Sequence, residues 1–342
     1  MNVFNWSLIL LLVYMFFSLS YKTATATEQQ ELGSVSLERT PCELAFDDLP
    51  DVARSFQISR DDFIDFIKSN RQVYEVYERN CFNHLSELQI HSQKLLRQIT
   101  GILILNDGNR DRLHCATTQI SKMKAITAKH CIYPDGITQL DLSKIEYRHI
   151  SEPNKSIRIT EVIHIIKIEQ SYLDAQSDFG DLVLLKLSDT VNFAVMKDHF
   201  GENLSYGDWI TILGVNLVPF TLYADNDINK WIDALRFSRD WSSRRFKIDE
   251  LLIPPQSATA AAVCIYHKAP TFPGMSGAPI LGINRSKKLG DDTIVYVAGV
   301  HLRGGDAFGQ QGSLNSCGHY PDFNIGITLP KEILEMLEIT PQ

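Results

Sequence analysis

The chain has 342 residues, 44% of them hydrophobic and 22% charged, which is a globular composition and excludes a disordered or fibrous chain. Its formal charge of −8 argues against nucleic acid as a partner. The length allows roughly two domains, or one two-lobed domain with an extra segment.

Trp6 to Ser20 reads WSLILLLVYMFFSLS, an uncharged run followed by TATA, in which Ala24 and Ala26 form an A-x-A cleavage signal. Residues 1–26 therefore read as a secretory signal peptide, although no Lys or Arg precedes the apolar run. An uncleaved anchor is the alternative, the run being slightly short for a span. Six cysteines follow: Cys42, Cys81, Cys115, Cys131, Cys264 and Cys317. An even number in an exported chain implies three disulfides, with about 15 pairings open. The expected location is secreted or periplasmic, with no membrane association once the leader is cut. Asn154, Asn203 and Asn284 fit the glycosylation sequon.

Residues 27–96 are predicted helical. Ser59 suits an N-cap ahead of RDDFIDFIKSN, with acidic residues in the first turn. Phe63, Phe66 and Ile67 share one face, and Tyr74, Tyr77 and Cys81 share another. This segment carries 13 acidic against 7 basic residues, and reads as a propeptide or an accessory unit. After Ile99 the texture changes to short β-rich runs, among them GILIL, KAITA, DLVLLKL, DWITILG and TIVYVAGVHL, divided by Gly, Asn, Asp and Pro. Such spacing predicts an all-β sandwich or barrel over residues 97–342. Ala224 to Leu252 breaks the pattern and reads as a long surface insertion. LPKEILEMLE, near the end, returns to helical spacing.

The stretch PTFPGMSGAPI, Pro270 to Ile280, sets Ser276 among glycines that permit tight turns. A nucleophilic serine needs a base and a group that orients the base. His130, in KAITAKHCIY, follows a β-rich run. Cys115 lies 16 residues before Cys131, so a bridge between them would close a hairpin and hold His130 at a strand end. Asp181 stands directly before LVLLKL, at the mouth of a strand apolar enough to be buried. A carboxylate there needs a partner, which a histidine N–H supplies. Taken singly, His130 reads as a loop residue, and Asp178 and Asp181 read as turn caps.

Together the three stretches resemble the trypsin-like (chymotrypsin-fold) serine peptidases. TAKHC is similar to that family's TAAHC, DLVLLKL to DIALLKL, and GMSGAP to GDSGGP. The resemblance covers residues 97–342. It implies two six-stranded antiparallel β-barrels with the site between them, followed by a C-terminal helix. It also implies His130 as general base, Asp181 as the residue that orients it, and Ser276 as nucleophile, with the N–H groups of Gly274 and Ser276 as oxyanion donors. No metal or other cofactor is called for. Met275 occupies the place of the aspartate that many members use on activation, and Pro270 replaces the aspartate of Arg/Lys-cleaving members. The chain looks closest to the glutamyl endopeptidase (V8-like) branch. That likeness makes His301 and Thr271 candidates for holding an acidic P1 side chain, though His301 also reads simply as a strand residue. Arg303 would add positive potential if it faces the cleft.

The expected protein is an exported serine endopeptidase and zymogen, a monomer acting on polypeptide substrates. The alternatives are an inactive homologue serving as a binding module, or an esterase or peptidase of other specificity. The cysteines are expected to pair as Cys115–Cys131, Cys264–Cys317 and, by elimination, Cys42–Cys81.

Overall fold

The computed structural model describes residues 41–49, 60–87, 90–106, 108, 110–164, 181–193, 200, 209–238, 264–267, 269–284, 293–303 and 324–329. Thr40–Gln342 forms one compact unit. The expected signal peptide, the Ser59 cap, the Cys264–Cys317 bridge and the C-terminal helix beyond Leu329 fall outside the described residues. Among those residues, no helix is long and apolar enough to cross a membrane.

Three helices open the described chain: α1 (Pro41–Asp47), α2 (Arg60–Ser69) and α3 (Arg71–Cys81). Asn70 separates α2 from α3; its N–H and its Nδ2 both donate to Phe66 O, which satisfies a terminal carbonyl of α2. Tyr74, Tyr77 and Cys81 are buried on one stripe of α3, at the spacing that gives a helix an apolar face. A disulfide joins Cys42 to Cys81 and so ties α1 to the end of α3.

A three-residue strand, β1 (Phe82–His84), follows directly, and then α4 (Ile90–Ile99) leads into the first lobe. That lobe contains β2 (Thr100–Asn106), β3 (Asp111–Ser121), β4 (Lys124–Ala128), β5 (Ile145–His149), β6 (Glu152–His164) and β7 (Leu182–Leu187). They close into a six-stranded barrel in the order β2-β3-β4-β7-β6-β5. Ile102, Ile126, Leu184 and Tyr147 are among its fully buried residues. At Gly101 the barrel wall needs a glycine, because any Cβ there would run into the Tyr147 ring.

The second lobe contains β8 (Trp209–Val215), helix α5 (Leu217–Tyr223), β9 (Leu235–Ser238), β10 (Cys264–His267), β11 (Pro279–Asn284), β12 (Thr293–Arg303) and β13 (Asn324–Thr328). Its sheet runs β1-β9-β8-β11-β12-β13-β10. The expected second six-stranded barrel is thus a seven-stranded sheet among the described residues. β1 pairs with β9 through Phe82–Ser238, Asn83–Phe237 and His84–Arg236, and so forms one edge of that sheet.

The expected surface insertion at Ala224–Leu252 is revised in its first half. Trp231 is fully buried, with Nε1 donating to Pro153 O at 3.3 Å, and β9 is a buried strand. Arg236, on β9, is also buried. Its Nε donates to Glu78 Oε1 of α3, and its Nη1 donates to the carbonyls of Asp233 at 2.7 Å and Leu235 at 2.9 Å. A buried cation is tolerated only with such partners. Phe63, Tyr74 and Tyr77 of α2 and α3 surround Phe272 of the second lobe, with ring centroids 6.0, 6.4 and 5.1 Å away. The helical segment therefore shares its core with the sheet.

Candidate active site

His130 sits in a single turn of 3-10 helix, Lys129–Cys131, immediately after β4. The turn closes through N–H groups of Ile132 and Tyr133 donating to Lys129 O. A Cys115–Cys131 disulfide fastens it to β3, and His114 Nε2 lies 2.7 Å from Cys131 O, a bond that the imidazole N–H donates. His130 itself stays accessible, its side chain 40% exposed.

Register brings Asp181 to it. In the β4–β7 pair Ala128 faces Leu182, so the residue before Leu182 and the turn after Ala128 emerge side by side. Asp181 Oδ1 lies 3.9 Å from His130 Nδ1, and the carboxylate is 11% exposed. Its other oxygen, Oδ2, accepts from Arg303 Nη1 at 3.4 Å.

Ser276 lies on the turn that feeds β11. Met275 N–H donates to Phe272 O and Ala278 N–H to Met275 O. Gly274 and Gly277 have φ of 102° and 89°, the left-handed region that glycine adopts without strain. At Gly277 a Cβ would also overlap Ala116 O and Thr127 Oγ1. Both lobes hold the turn. From β3, Ala116 N–H donates to Ser276 O at 2.9 Å and Thr118 Oγ1 to Gly277 O at 2.9 Å. From β12, His301 O accepts from Gly277 N–H at 2.7 Å. Cys131 Sγ is 3.9 Å from Ser276 O, which sets the serine beside the His130 turn. The side chain of Met275 is buried against Gly214.

The remaining candidates lie around this turn. Thr271 is half-buried two residues after Ala269, whose carbonyl accepts from Asn324 Nδ2 at 2.7 Å; Pro270 O accepts from Ser238 Oγ at 2.5 Å. His301 is buried, with Nδ1 3.3 Å from His267 Nε2 on β10. Burial, then the neighbouring His267 and His130, push the His301 imidazole well below its ordinary value of 6.5; burial takes His267 to about 3. Both imidazoles are therefore neutral near neutral pH, so His301 carries no charge there. Arg303, two residues on, is engaged with Asp181. Its aim follows from a bulge: β12 advances from His301 to Arg303 while β13 advances only from Gly326 to Ile325. No period in the sequence marks that bulge, so the Arg303–Asp181 contact was not legible there.

Cys115, His130 and Cys131 place possible metal ligands within 4.8 Å of one another. The two cysteines are bridged, however, and a disulfide offers no thiolate.

No protein-family model matches the chain, and no curated protein does. Among solved structures the chain is similar to a Glu endopeptidase in complex with MPD, at 14% identity, with 71% of this chain and 89% of that one covered and a TM-score of 0.39.

Proposed function

We propose that the chain is an exported serine endopeptidase of trypsin-like fold that acts through an acyl-enzyme. The observation that carries the reading is the meeting of three strand ends. The β4 turn bears His130, the mouth of β7 bears Asp181, and the turn before β11 bears Ser276, with Cys131 in contact with the last. Asp181 orients His130 through Nδ1, which lies 3.9 Å from its Oδ1. Ser276 Oγ attacks the scissile carbonyl and gives its proton to His130. The oxyanion is met by the N–H groups of Gly274 and Ser276, which stabilise charge present only in the transition state. His130 then protonates the leaving amine, and water repeats the sequence on the acyl-enzyme. Export rests on the apolar leader at Trp6–Ser20 and on two disulfides.

An acidic P1 residue is the preferred guest in this reading, held by Thr271 and by a neutral His301 N–H. Because burial holds the His301 imidazole well below its ordinary value of 6.5, the preference does not fade as pH rises through 6.5, where an ordinary histidine loses its proton. The test is labelling with a fluorophosphonate followed by peptide mapping, then kcat/KM for matched substrates with Glu, Gln, Arg, Phe and Ala at P1. Label on Ser276, lost in Ser276→Ala, supports the peptidase. A folded wild-type protein that takes no label is the binding module instead. A Glu-to-Gln ratio near one removes the pocket assignment and leaves the triad standing.

A further inference from the structure

We infer that Arg303 is a positioning residue for the His130–Asp181 pair. The inference rests on the peptidase reading above. One carboxylate has two partners among the described residues: Oδ1 faces His130 and Oδ2 accepts from Arg303. Asp181 and Arg303 are each 11% exposed, so neither ion is free to exchange its partner for water at little cost. Arg303 fixes the carboxylate by the oxygen that His130 does not use, which leaves Oδ1 at the imidazole.

Arg303 is a permanent cation in contact with the carboxylate. The other charged or titratable groups near the pair among the described residues are Lys129 beside His130, whose Nζ lies 5.8 Å from the centre of the Tyr133 ring, His114 bonded to Cys131 O, and His301 with His267 behind it. Burial keeps His301 and His267 neutral.

The same strand also holds the nucleophile. His301 O takes the N–H of Gly277, and after the β12 bulge Arg303 reaches the mouth of β7. One segment of the second sheet thereby sets both ends of the triad, the serine turn and the carboxylate. This role differs from the one Arg303 would play as a cation in the specificity pocket, and the two are separable.

The experiment is kcat and KM on a substrate with uncharged P1, with the rate of fluorophosphonate labelling, for wild type, Arg303→Met and Arg303→Lys, together with the Glu-to-Gln ratio. In R303M kcat and the labelling rate drop roughly tenfold while KM holds, because a carboxylate without its second partner no longer keeps the imidazole in one orientation. In R303K, which keeps the charge, kcat returns most of the way, and the Glu-to-Gln ratio holds in both. A kcat equal to wild type in R303M overturns the inference. So does a collapsed Glu-to-Gln ratio with an unchanged kcat, since it makes Arg303 a pocket residue. If R303M does not fold, Arg303→Gln replaces it. If the wild-type serine takes no fluorophosphonate, the peptidase reading fails by itself. The Arg303 contact is then read from nitrogen NMR relaxation of the His130 ring, where greater motion in the variant supports it and equal motion overturns it.

Discussion

Removing the Glu78 carboxylate should destabilise the whole second lobe, although Glu78 belongs to the helical segment. Glu78 and Arg236 have side chains 6% and 2% exposed. Arg236 Nε donates to Glu78 Oε1, Tyr223 OH donates to Glu78 Oε2 at 3.2 Å, and the guanidinium carbon lies 5.5 Å from the centre of the Tyr223 ring. Breaking a buried pair from one side typically costs about 3–5 kcal/mol, because the abandoned ion stays buried. Two effects modify that range. Arg236 keeps the Asp233 and Leu235 carbonyls, which lowers the cost, and Tyr223 loses an acceptor, which adds about 1 kcal/mol. Glu78→Ala should therefore cost about 4 kcal/mol. Glu78→Gln keeps the shape and an acceptor for Arg236, and should cost about half as much.

Thermal unfolding reads this directly. At roughly 2–4 °C per kcal/mol for a domain of this order of size, E78A lowers Tm by roughly 10 °C. The control is the double replacement Glu78→Leu with Arg236→Met, which removes both charges and should recover most of the loss. An E78A protein with wild-type Tm would refute the reasoning, and so would a double variant that melts below E78A.

Three further outcomes are expected. Gly277→Ala should abolish folding or labelling, since the Cβ would overlap Ala116 O and Thr127 Oγ1 at φ 89°, whereas Gly136→Ala at φ 80° meets open space and should cost only about 1 kcal/mol in urea titration. Replacing Cys115 and Cys131 by Ala together should cost about 3 kcal/mol for a loop of 16 residues and should reduce kcat/KM by loosening the His130 turn; unchanged kinetics would show that the bridge does not hold the base. Burial keeps His149 and His267 neutral down to about 4 and about 3, against an ordinary 6.5, so their contribution to stability is complete above pH 6.5 and is lost as pH falls toward those values, at about 1.4 kcal/mol per pH unit for each. Urea midpoints at pH 7, 6 and 5 should fall accordingly, and His267→Gln should flatten that slope; an equal slope in the variant would refute the assignment.

The sequence carried the candidate site more openly than the frame around it. His130 and Asp181 stand at the ends of β4 and β7, and those strands are legible because KAITA and LVLLKL are short, apolar and bounded by polar residues. The Ser276 turn is legible because its glycines have no other use. By contrast, β1 is three residues long and continuous with a helix, too short for any period to show. The 224–238 stretch reads as surface because it mixes charge with aromatics, yet Trp231 and Arg236 are buried through partners 78 and 158 positions away. Glu78 did leave a trace: it lies four residues after Tyr74, on the apolar stripe of α3, where an acid is out of place unless paired. Its partner has no local signature at all.

These long-range contacts bear on whether the helical segment can be removed. The Cys42–Cys81 bridge ties the segment only to itself, so no disulfide holds it to the two lobes. What holds it is packing. Phe63, Tyr74 and Tyr77 enclose Phe272, four residues before Ser276, and β1 covers the edge of β9, whose Ser238 bonds the carbonyl of Pro270 in the same loop. Stripping the segment would expose Phe272; at about 150 Å² and about 25 cal/mol per Å², the loss is about 4 kcal/mol, an upper bound that is still a large share of the roughly 5–15 kcal/mol that holds a typical domain. Arg236 would be left without its carboxylate as well. A propeptide that inhibits by covering the cleft should detach cleanly, whereas this segment packs on Phe272 in the loop that leads to Ser276. The prediction is that protein spanning residues 40–342 folds and labels at Ser276, while protein spanning 97–342 does not, and that adding residues 40–96 in trans restores part of the labelling. Equal labelling rates for the two forms would show that the turn keeps its shape without the helices, and the segment would then be free to leave.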